Sequence, residues 1–217
     1  MSAVSTPQVL AQTISQDLAA DDLAAAGWER AEPVWIKRRW SGEPAPPNRH
    51  AEARILWSDD ALHVRFVCEQ HEPLIVNPNP QTENKTPGLW ERDVCEIFLA
   101  PDPVRPENYY EFEAAPTGEW IDLGITWEKE TRVTDWKFKS EMTVASRVDP
   151  DSLVVAMRIP WSVDGAPIHR PRRGELWRVN LFRCVGLGND RYLAWQPTFS
   201  KEPNFHVPQA FGWLRFE

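Results

Sequence analysis

The sequence is short of several features that would define its class at once. It contains only three cysteines, Cys68, Cys95 and Cys184, which are far apart in the chain. An odd, scattered set excludes a disulfide framework and the paired spacing of a zinc site, and it indicates buried thiols in a reducing compartment. No apolar run approaches the roughly 18 residues that a membrane-spanning helix needs. The sequence therefore predicts no membrane partner.

Basic residues are also in the minority, with 24 Lys and Arg against 32 Asp and Glu and a formal net charge of −8. A chain with this balance and no basic block binds a phosphate backbone poorly, so nucleic acid is not an expected partner. Glycine is scarce as well, with 10 residues against 20 prolines, and charged residues make up 26%. This composition excludes general disorder and predicts one folded domain.

The first residues lack the marks of a secretion signal. Residues 1–18 have neither a basic n-region nor a continuous apolar stretch, which predicts a cytoplasmic chain. A secreted chain whose leader has been removed is the alternative. Residues 17–26 are rich in Ala, Asp and Leu and stop before Gly27, which predicts a short helix or a capped turn. We assign residues 1–20 to an N-terminal extension and residues 21–217 to the domain.

Tryptophan is the residue in excess, with 12 copies beside 3 Tyr and 9 Phe. We expect about three-quarters of these indoles to pack in a sheet core, where aromatic residues are common. Indoles that reach the surface provide flat rings for stacking recognition. The excess therefore directs attention to ligands that have a flat apolar face.

After residue 30 the apolar residues recur with a period of two, which is the period of a β-strand. Residues 51–57 and 62–68 alternate around a turn at 58–60, and this predicts a hairpin. The same pattern recurs in short segments at 34–40, 93–99, 109–115, 119–125, 141–148, 152–159, 175–185, 191–196 and 211–216. Many short strands without a helical period predict an all-β sandwich or barrel. The proline-rich segment 69–90 is too long for a simple connection and is expected to be a functional loop.

Strand alternation puts polar side chains from four of these segments on one predicted sheet face. They are Glu96, Glu111, Glu113, Asp122, Arg178 and Asn180. Carboxylates and amides beside aromatic rings suit a sugar, whose hydroxyls need hydrogen bonds and whose C–H face can lie on a ring. A solvated face of an antiparallel sheet is also polar by default. Alternation alone therefore leaves both interpretations open.

A series of short motifs resembles the family 9 carbohydrate-binding modules and their stand-alone relatives. The motifs lie at 26–31, 89–99, 109–113, 116–122, 177–183, 193–195, 204–208 and 211–216, and they include LWERD at 89–93 and FGWLRF at 211–216. The resemblance covers residues 21–217. It implies an immunoglobulin-like or jelly-roll-like antiparallel β-sandwich that binds a saccharide without cleaving it. The short N-terminal helical segment completes the expected fold.

The resemblance also implies which residues bind the ligand. Trp90 matches the first stacking ring and Glu96 the neighbouring hydroxyl-binding carboxylate. Phe205 stands where a second ring, usually Trp, would lie. Glu113 replaces a basic sugar contact of the xylanase-linked members, as it does in the stand-alone relatives. Arg178 and Asn180 of the predicted polar face are added to these four. We therefore expect the ligand-binding set to be Trp90, Glu96, Glu113, Arg178, Asn180 and Phe205.

Calcium has structural roles in the family that the sequence resembles, and no other cofactor is implied. Asp59, Asp60, Asp102 and Asp122 are candidate calcium ligands by residue type alone. A site for this ion needs several convergent oxygens, and the spacing of these residues does not show such a site. The metal ligands therefore stay unassigned at the level of sequence.

Three other functions remain open. A structural or protein-interaction sandwich with a degenerate sugar pocket is one, because Phe205 has a smaller face than Trp and no N–H. A glycoside-cleaving enzyme needs two carboxylates that face each other across a cleft, whereas Glu111 and Glu113 project side by side. A b-type haem protein needs axial Met and His ligands, but Met142 and Met157 lie in core-facing patterns. We therefore expect a non-catalytic domain whose partner is a saccharide; the sequence does not identify a partner enzyme.

Overall fold

The computed structural model describes residues 7–162 and 168–217. Its regular structure consists of strands and 3-10 helices, and none of the described helices is long and apolar enough to cross a membrane. The strands are β1 (Gln8–Thr13), β2 (Val34–Ile36), β3 (Arg38–Arg39), β4 (Ala51–Trp57), β5 (Ala61–Glu69), β6 (Val94–Ala100), β7 (Asn108–Ala114), β8 (Trp120–Glu128), β9 (Thr131–Asp135), β10 (Thr143–Val148), β11 (Ser152–Pro160), β12 (Leu176–Cys184), β13 (Tyr192–Ala194) and β14 (Gly212–Phe216). The 3-10 helices are Ala26–Arg30, Pro47–Arg49, Leu89–Glu91, Asn189–Arg191 and Pro208–Ala210. The predicted all-β class is confirmed.

The strands form one curled sheet in the order β10-β11-β5-β4-β1-β14-β12-β6-β7-β8-β9, with β2 beside β4 and β13 between β12 and β3. Apolar residues from the two halves of the sheet pack against each other in one main core. This arrangement is consistent with a sandwich. Among the described strands, β1 pairs in parallel with both β14 and β4, and the other ladders are antiparallel. The expectation of a purely antiparallel sheet is therefore wrong at this strand.

Strand β1 joins the two halves of the sheet. Residues 8–11 pair with residues 213–216 of β14, while Gln12 and Thr13 pair with Leu56 and Trp57 of β4. An unpaired sheet edge exposes N–H and C=O groups that need partners, and β1 supplies them to both halves at once. Part of the stretch that the sequence assigns to an N-terminal extension is thus a strand of the sheet.

The segment 17–26, expected to be a short helix or a capped turn, forms turns and no α-helix. The Asp22 carboxylate accepts a hydrogen bond from the Ala19 N–H at 2.9 Å, and its carbonyl accepts one from the Trp28 indole at 3.0 Å. Trp28 is buried in a small apolar cluster with Ile14 and Leu56. An isolated helix this short is marginal, so burial of the indole decides the path of the chain.

The half of the sheet that contains β6, β7, β8 and β12 buries both of its faces. One face carries Ile97 and Val179 and packs in the main core. The other carries Phe98, Leu123 and Phe182 and forms a second apolar cluster. Loop residues, among them Leu89, Phe205 and Phe211, complete this second cluster. The face that alternation suggests is solvated is therefore largely covered.

Strand β8 faces the opposite way from the expectation. Leu123 pairs with Glu111, so the apolar row of β8 lies on the same side as that glutamate. Asp122 consequently projects to the main-core side, opposite Phe112, where its carboxylate lies 2.5 Å from Lys85 Nζ. The expectation that Asp122 shares a face with the glutamates is wrong. Alternation cannot orient a strand when both faces of the sheet are covered.

The three cysteines are free, buried thiols, as the sequence predicts. Cys68 of β5 and Cys95 of β6 belong to the two opposed halves of the sheet, and their sulfur atoms lie 3.6 Å apart in the main core. Cys184 lies in the second cluster. Cys68 and Cys95 have apolar neighbours, which agrees with a packing role. The Cys184 thiol donates to Glu96 Oε1 at 3.4 Å.

A buried histidine connects β5 to the N-terminal segment. His63 Nε2 lies 3.2 Å from Ser58 Oγ and 3.2 Å from Asp17 Oδ1. Burial lowers the pKa of His63 to about 4, although the charge of Asp17 acts in the opposite direction. The ring is therefore neutral in the folded protein at neutral pH, and protonating it opposes folding.

This histidine predicts a defined pH dependence of stability. Between pH 4 and the ordinary pKa of 6.5, the unfolded chain binds more protons at His63 than the folded chain does, so its contribution to stability rises with pH. The difference in unfolding free energy between the wild type and His63→Gln should grow across this window in favour of the wild type. Urea unfolding at a series of pH values measures it, and a constant difference would contradict the assignment.

Candidate functional site

A cavity of about 280 Å³ opens on the second face of the sheet. Its floor is formed by side chains of β6, β7, β8 and β12, including Glu96 and Glu111. Its walls come from the 3-10 helix that contains Trp90, from β9, and from the segment 203–206. A volume near the lower end of small-molecule sites, about 300 Å³, suits a compact ligand or one end of a longer one.

The long proline-rich loop is anchored to the start of β8 by a buried carboxylate. Glu119 Oε1 accepts hydrogen bonds from Asn77 Nδ2 at 3.0 Å and from the Gln81 N–H at 3.4 Å, and Oε2 accepts one from Thr117 at 2.9 Å. The Trp120 indole donates to the Thr82 carbonyl at 2.9 Å. These bonds hold an otherwise irregular segment in one path toward the cavity.

The end of this loop positions Trp90. Gly88 has a φ of 77°, a conformation that favours glycine, and it begins the 3-10 helix Leu89–Glu91. Leu89 is buried in the second cluster, while Trp90 remains 37% exposed at the cavity. Arg191 fixes the following turn by donating to the carbonyls of Glu91 at 2.7 Å and Arg92 at 2.6 Å.

A second exposed indole, which the sequence analysis did not single out, lies beside Trp90. Trp136 follows β9, is 50% exposed and lines the same cavity. The two ring centroids are 6.4 Å apart, with an interplanar angle of 47°. Strand β9 has no clear alternation, so the pattern of strands did not locate it. The signal in the sequence is a lone Trp within the charged stretch 128–139.

Phe205 lines the cavity from the segment 203–206, but it is only 8% exposed. Its ring stacks on Phe182 with a centroid distance of 4.0 Å and an interplanar angle of 13°, and Tyr192 packs against it edge-on at 5.9 Å. One face of Phe205 is therefore covered within the protein. The more exposed aromatic surface of the cavity belongs to Trp90 and Trp136.

Three glutamates converge at the floor of the cavity. Glu96 of β6 lies directly opposite Glu113 of β7, and Glu111 is two residues along the same strand, so the three share a face. One carboxylate oxygen from each residue lies within 4.8 Å of the others. Glu96 and Glu111 line the cavity, whereas Glu113 lies beside Glu96 and is fully buried.

Burial dominates the electrostatics of this group. It raises the pKa of Glu111, and it raises the pKa of Glu96 and of Glu113 well above the ordinary value, with the neighbouring carboxylates adding to the effect on both. The charge of Arg132, which also lines the cavity, lowers the pKa of Glu111 in part. Three ionised carboxylates are therefore unfavourable here unless some of them are protonated or a positive charge is added.

His206 borders the glutamates on the side of the segment 203–206. Its Nδ1 lies 2.8 Å from the Tyr109 hydroxyl, which also accepts a hydrogen bond from the Trp127 indole at 3.4 Å. Its Nε2 is 4.0 Å from Glu111 Oε2. Burial lowers the pKa of His206 to about 3, so the imidazole is neutral at neutral pH.

Two of the expected ligand-binding residues lie away from the cavity. Arg178 donates to the carbonyl of Gly212 at 3.2 Å and to that of Phe211, and its guanidinium lies 4.7 Å from the Trp213 ring centroid. The Asn180 side chain bonds both the N–H and the carbonyl of Gln196, at 3.0 and 2.9 Å. Both lie toward the other end of β12. Neither lines the cavity, because their polar groups are used to hold neighbouring backbone.

The aspartates considered as calcium ligands do not converge. Asp59 pairs with Arg170, Asp102 with Arg105 at 2.8 Å, and Asp122 with Lys85. Asp59, Asp102 and Asp122 occupy separate places in the fold, and each of these three already has a cationic partner. These residues do not fit a calcium site.

Family comparison agrees with the motifs. Residues 21–217 match the model of the carbohydrate family 9 binding domain-like family. The chain belongs to this family. The resemblance inferred from the sequence is thereby confirmed. A comparison with curated proteins gives no match.

Solved structures share the fold of this family member. A candidate carbohydrate-binding protein of Bacteroides uniformis has a TM-score of 0.75 at 18% identity, covering 98% of this chain and 100% of that one. A carbohydrate binding module family 9 of Caldicellulosiruptor kristjanssonii in complex with cellotriose has a TM-score of 0.65 at 15% identity, covering 97% and 94%. The same kind of module from that organism in complex with glucose has a TM-score of 0.65 at 17% identity, covering 97% and 96%.

The two aromatic residues expected from the sequence should differ in their effect on stability. Trp90→Ala removes an exposed ring, so we expect the unfolding free energy to change by less than about 1 kcal/mol. Phe205→Ala removes a ring that is stacked in the wall, so we expect a loss of about 3 kcal/mol or more. Urea unfolding of both variants gives the comparison. Equal losses would mean that Trp90 acts as a core residue.

Proposed function

We propose that this domain binds a saccharide non-covalently in the cavity between Trp90, Trp136 and the glutamates. The observation that carries the proposal is the combination of two exposed indoles with carboxyl groups at the floor of a single cavity. The platform would be an immunoglobulin-like or jelly-roll-like β-sandwich. Trp90, Glu96 and Phe205 of the expected set line this cavity, which supports their assignment to the site.

The chemistry of the cavity suits a sugar ring. The indole faces offer apolar area for the C–H face of a pyranose, and stacking contacts of this kind are worth about 0.5–1.5 kcal/mol beyond the area that they bury. Glu96 and Glu111 offer groups that can exchange hydrogen bonds with hydroxyls at the floor. Exposed rings and few polar contacts predict an affinity in the ~µM to mM range.

The relatives suggest which ligands to test first. Modules of the family have been solved with glucose and with cellotriose. A cavity of about 280 Å³ favours a single ring or the end of a chain over a long segment. Glucose and cellotriose are therefore the first probes for this domain, followed by a glycan array for other sugars.

The arrangement of the carboxylates favours binding over cleavage. Glycosidases place two carboxylates on opposite sides of the bond that they cleave, about 5–9.5 Å apart. Here Glu96 and Glu111, the two glutamates that line the cavity, project from the same face of the sheet, so both approach a ligand from one side. We therefore propose that the domain is not an enzyme.

The indole pair provides the direct test of this function. Trp90→Ala and Trp136→Ala should each weaken saccharide binding by at least about tenfold, because a hot-spot aromatic residue contributes more than about 1.4 kcal/mol. Calorimetry with glucose and cellotriose measures the change. The thermal midpoints of both variants should stay near the wild-type value.

Trp35→Ala is the matched control. Trp35 is 46% exposed, lies in β2 and is outside the cavity, so its removal should leave the affinity unchanged. If the wild type binds no sugar on the array, the domain is a structural or protein-interaction sandwich. If all three Trp variants lose binding equally, the cavity is not the site.

A further inference from the structure

Arg132 lines the cavity, but within the described residues the three glutamates at its floor form no ion pair with a lysine or an arginine. Ion pairs hold buried acids elsewhere in the structure, such as Asp122 with Lys85 at 2.5 Å. Among residues 7–162 and 168–217, the basic group at ion-pair distance from the three glutamates is His206, whose Nε2 lies 4.0 Å from Glu111 Oε2. Buried carboxylates without a partner are costly, so an additional positive charge or protons must be present.

Three of the seven buried side-chain polar atoms that lack a hydrogen-bond partner in the described residues belong to this group of glutamates. Both carboxylate oxygens of Glu113 and Oε2 of Glu111 are buried, and within the described parts of the chain no group donates to them apart from a proton shared between Glu111 and Glu113. Glu119, which is equally buried, receives three hydrogen bonds. Burial alone therefore does not leave an acid unpartnered in this fold, and native proteins usually satisfy such groups.

We propose that Glu96, Glu111 and Glu113 bind one divalent cation at the floor of the cavity. Their oxygens are within 4.8 Å of one another. Two ligands of a single Ca²⁺ can be up to about 5 Å apart, because each lies 2.3–2.6 Å from the ion. One ion can therefore contact all three carboxylates with small side-chain adjustments.

The donor atoms select the class of metal. Carboxylate oxygens favour hard cations such as Ca²⁺ and Mn²⁺. Glu96 and Glu111 line the cavity, so an ion can enter from solvent and retain open coordination positions on that side. His206 borders the glutamates, with Nε2 4.0 Å from Glu111 Oε2, and its ring is held by the contact of Nδ1 with the Tyr109 hydroxyl at 2.8 Å.

The cation would also take part in the proposed saccharide binding. On the condition that a saccharide occupies the cavity, its hydroxyls can replace water on the open side of the ion. The indoles of Trp90 and Trp136 would then hold the apolar face of the ring, while the ion and the glutamates would fix its hydroxyls. Saccharide affinity should consequently depend on the cation.

Thermal unfolding of the full chain, stripped of metal with a chelator, tests the cation site without any sugar. Calcium chloride and manganese chloride, each added alone, should raise the midpoint of the wild type by several degrees in a saturable manner. Glu113→Gln should abolish this shift. Asp102→Asn removes an exposed acid that pairs with Arg105 and should retain it. No shift in the wild type, or an equal shift in Glu113→Gln, would overturn the proposal and mean that the glutamates hold protons only.

Terbium luminescence gives a second test that does not depend on the folding of Glu113→Gln. Tb³⁺ replaces Ca²⁺ at oxygen sites and emits when nearby indoles transfer their excitation. The wild type should show sensitised emission that excess Ca²⁺ removes. Trp90→Phe combined with Trp136→Phe should reduce it severalfold, whereas Trp35→Phe should not. Emission that is independent of the cavity indoles would overturn the location of the ion.

Titrations with glucose and cellotriose, with and without Ca²⁺, separate the two proposals. A cation-dependent midpoint without sugar binding would reject the proposed function and leave the metal site standing. Sugar binding that ignores the cation, with no midpoint shift, would reject the metal site and leave the proposed function standing. Sugar affinity that rises at least tenfold with Ca²⁺ would support both.

Discussion

The site depends on the pairing register of β6 and β7 on a sheet face that is covered. Because Glu96 lies opposite Glu113, three carboxyl groups share one small volume. Because Phe98, Leu123 and Phe182 surround them on the same face, water cannot solvate them freely. A shift of one residue in this ladder would turn the glutamates of the shifted strand toward the main core, and the three carboxyl groups would no longer lie together. The register thus fixes both the position and the electrostatic character of the cavity floor.

Loops supply the other half of the cavity, and each is held in place by hydrogen bonds or by apolar packing. Glu119 anchors the proline-rich loop, and Arg191 fixes the turn that follows Trp90. Phe205 inserts into the second cluster and thereby secures the segment that carries His206. The acids and the two exposed indoles of the cavity consequently come from different elements. Strands β6 and β7 provide Glu96 and Glu111, whereas Trp90 lies in the 3-10 helix Leu89–Glu91 and Trp136 follows β9.

Much of the fold can be predicted from the amino-acid sequence. Alternating residues predict the hairpin of β4 and β5 and the other long strands, since a strand that buries one face imposes a period of two. Alternation does not predict the short strand β9 or the parallel strand β1. Partners distant in sequence stabilise β1, and the side chains of β9 are largely exposed. The turns at 17–26 are likewise decided by the burial of Trp28 and not by local propensity.

The sequence by itself determined the all-β class, the family, and the presence of Trp90, Glu96 and Phe205 among the residues of interest. Each follows from local pattern or from a motif of consecutive residues. Only the tertiary structure decided that Arg178 and Asn180 hold backbone elsewhere, that Asp122 faces the main core and that Trp136 stands beside Trp90. Such facts depend on which side of a sheet is covered and on which loops meet above it. Contacts between segments that are distant in the chain set both, and a period of two within one strand carries no information about them.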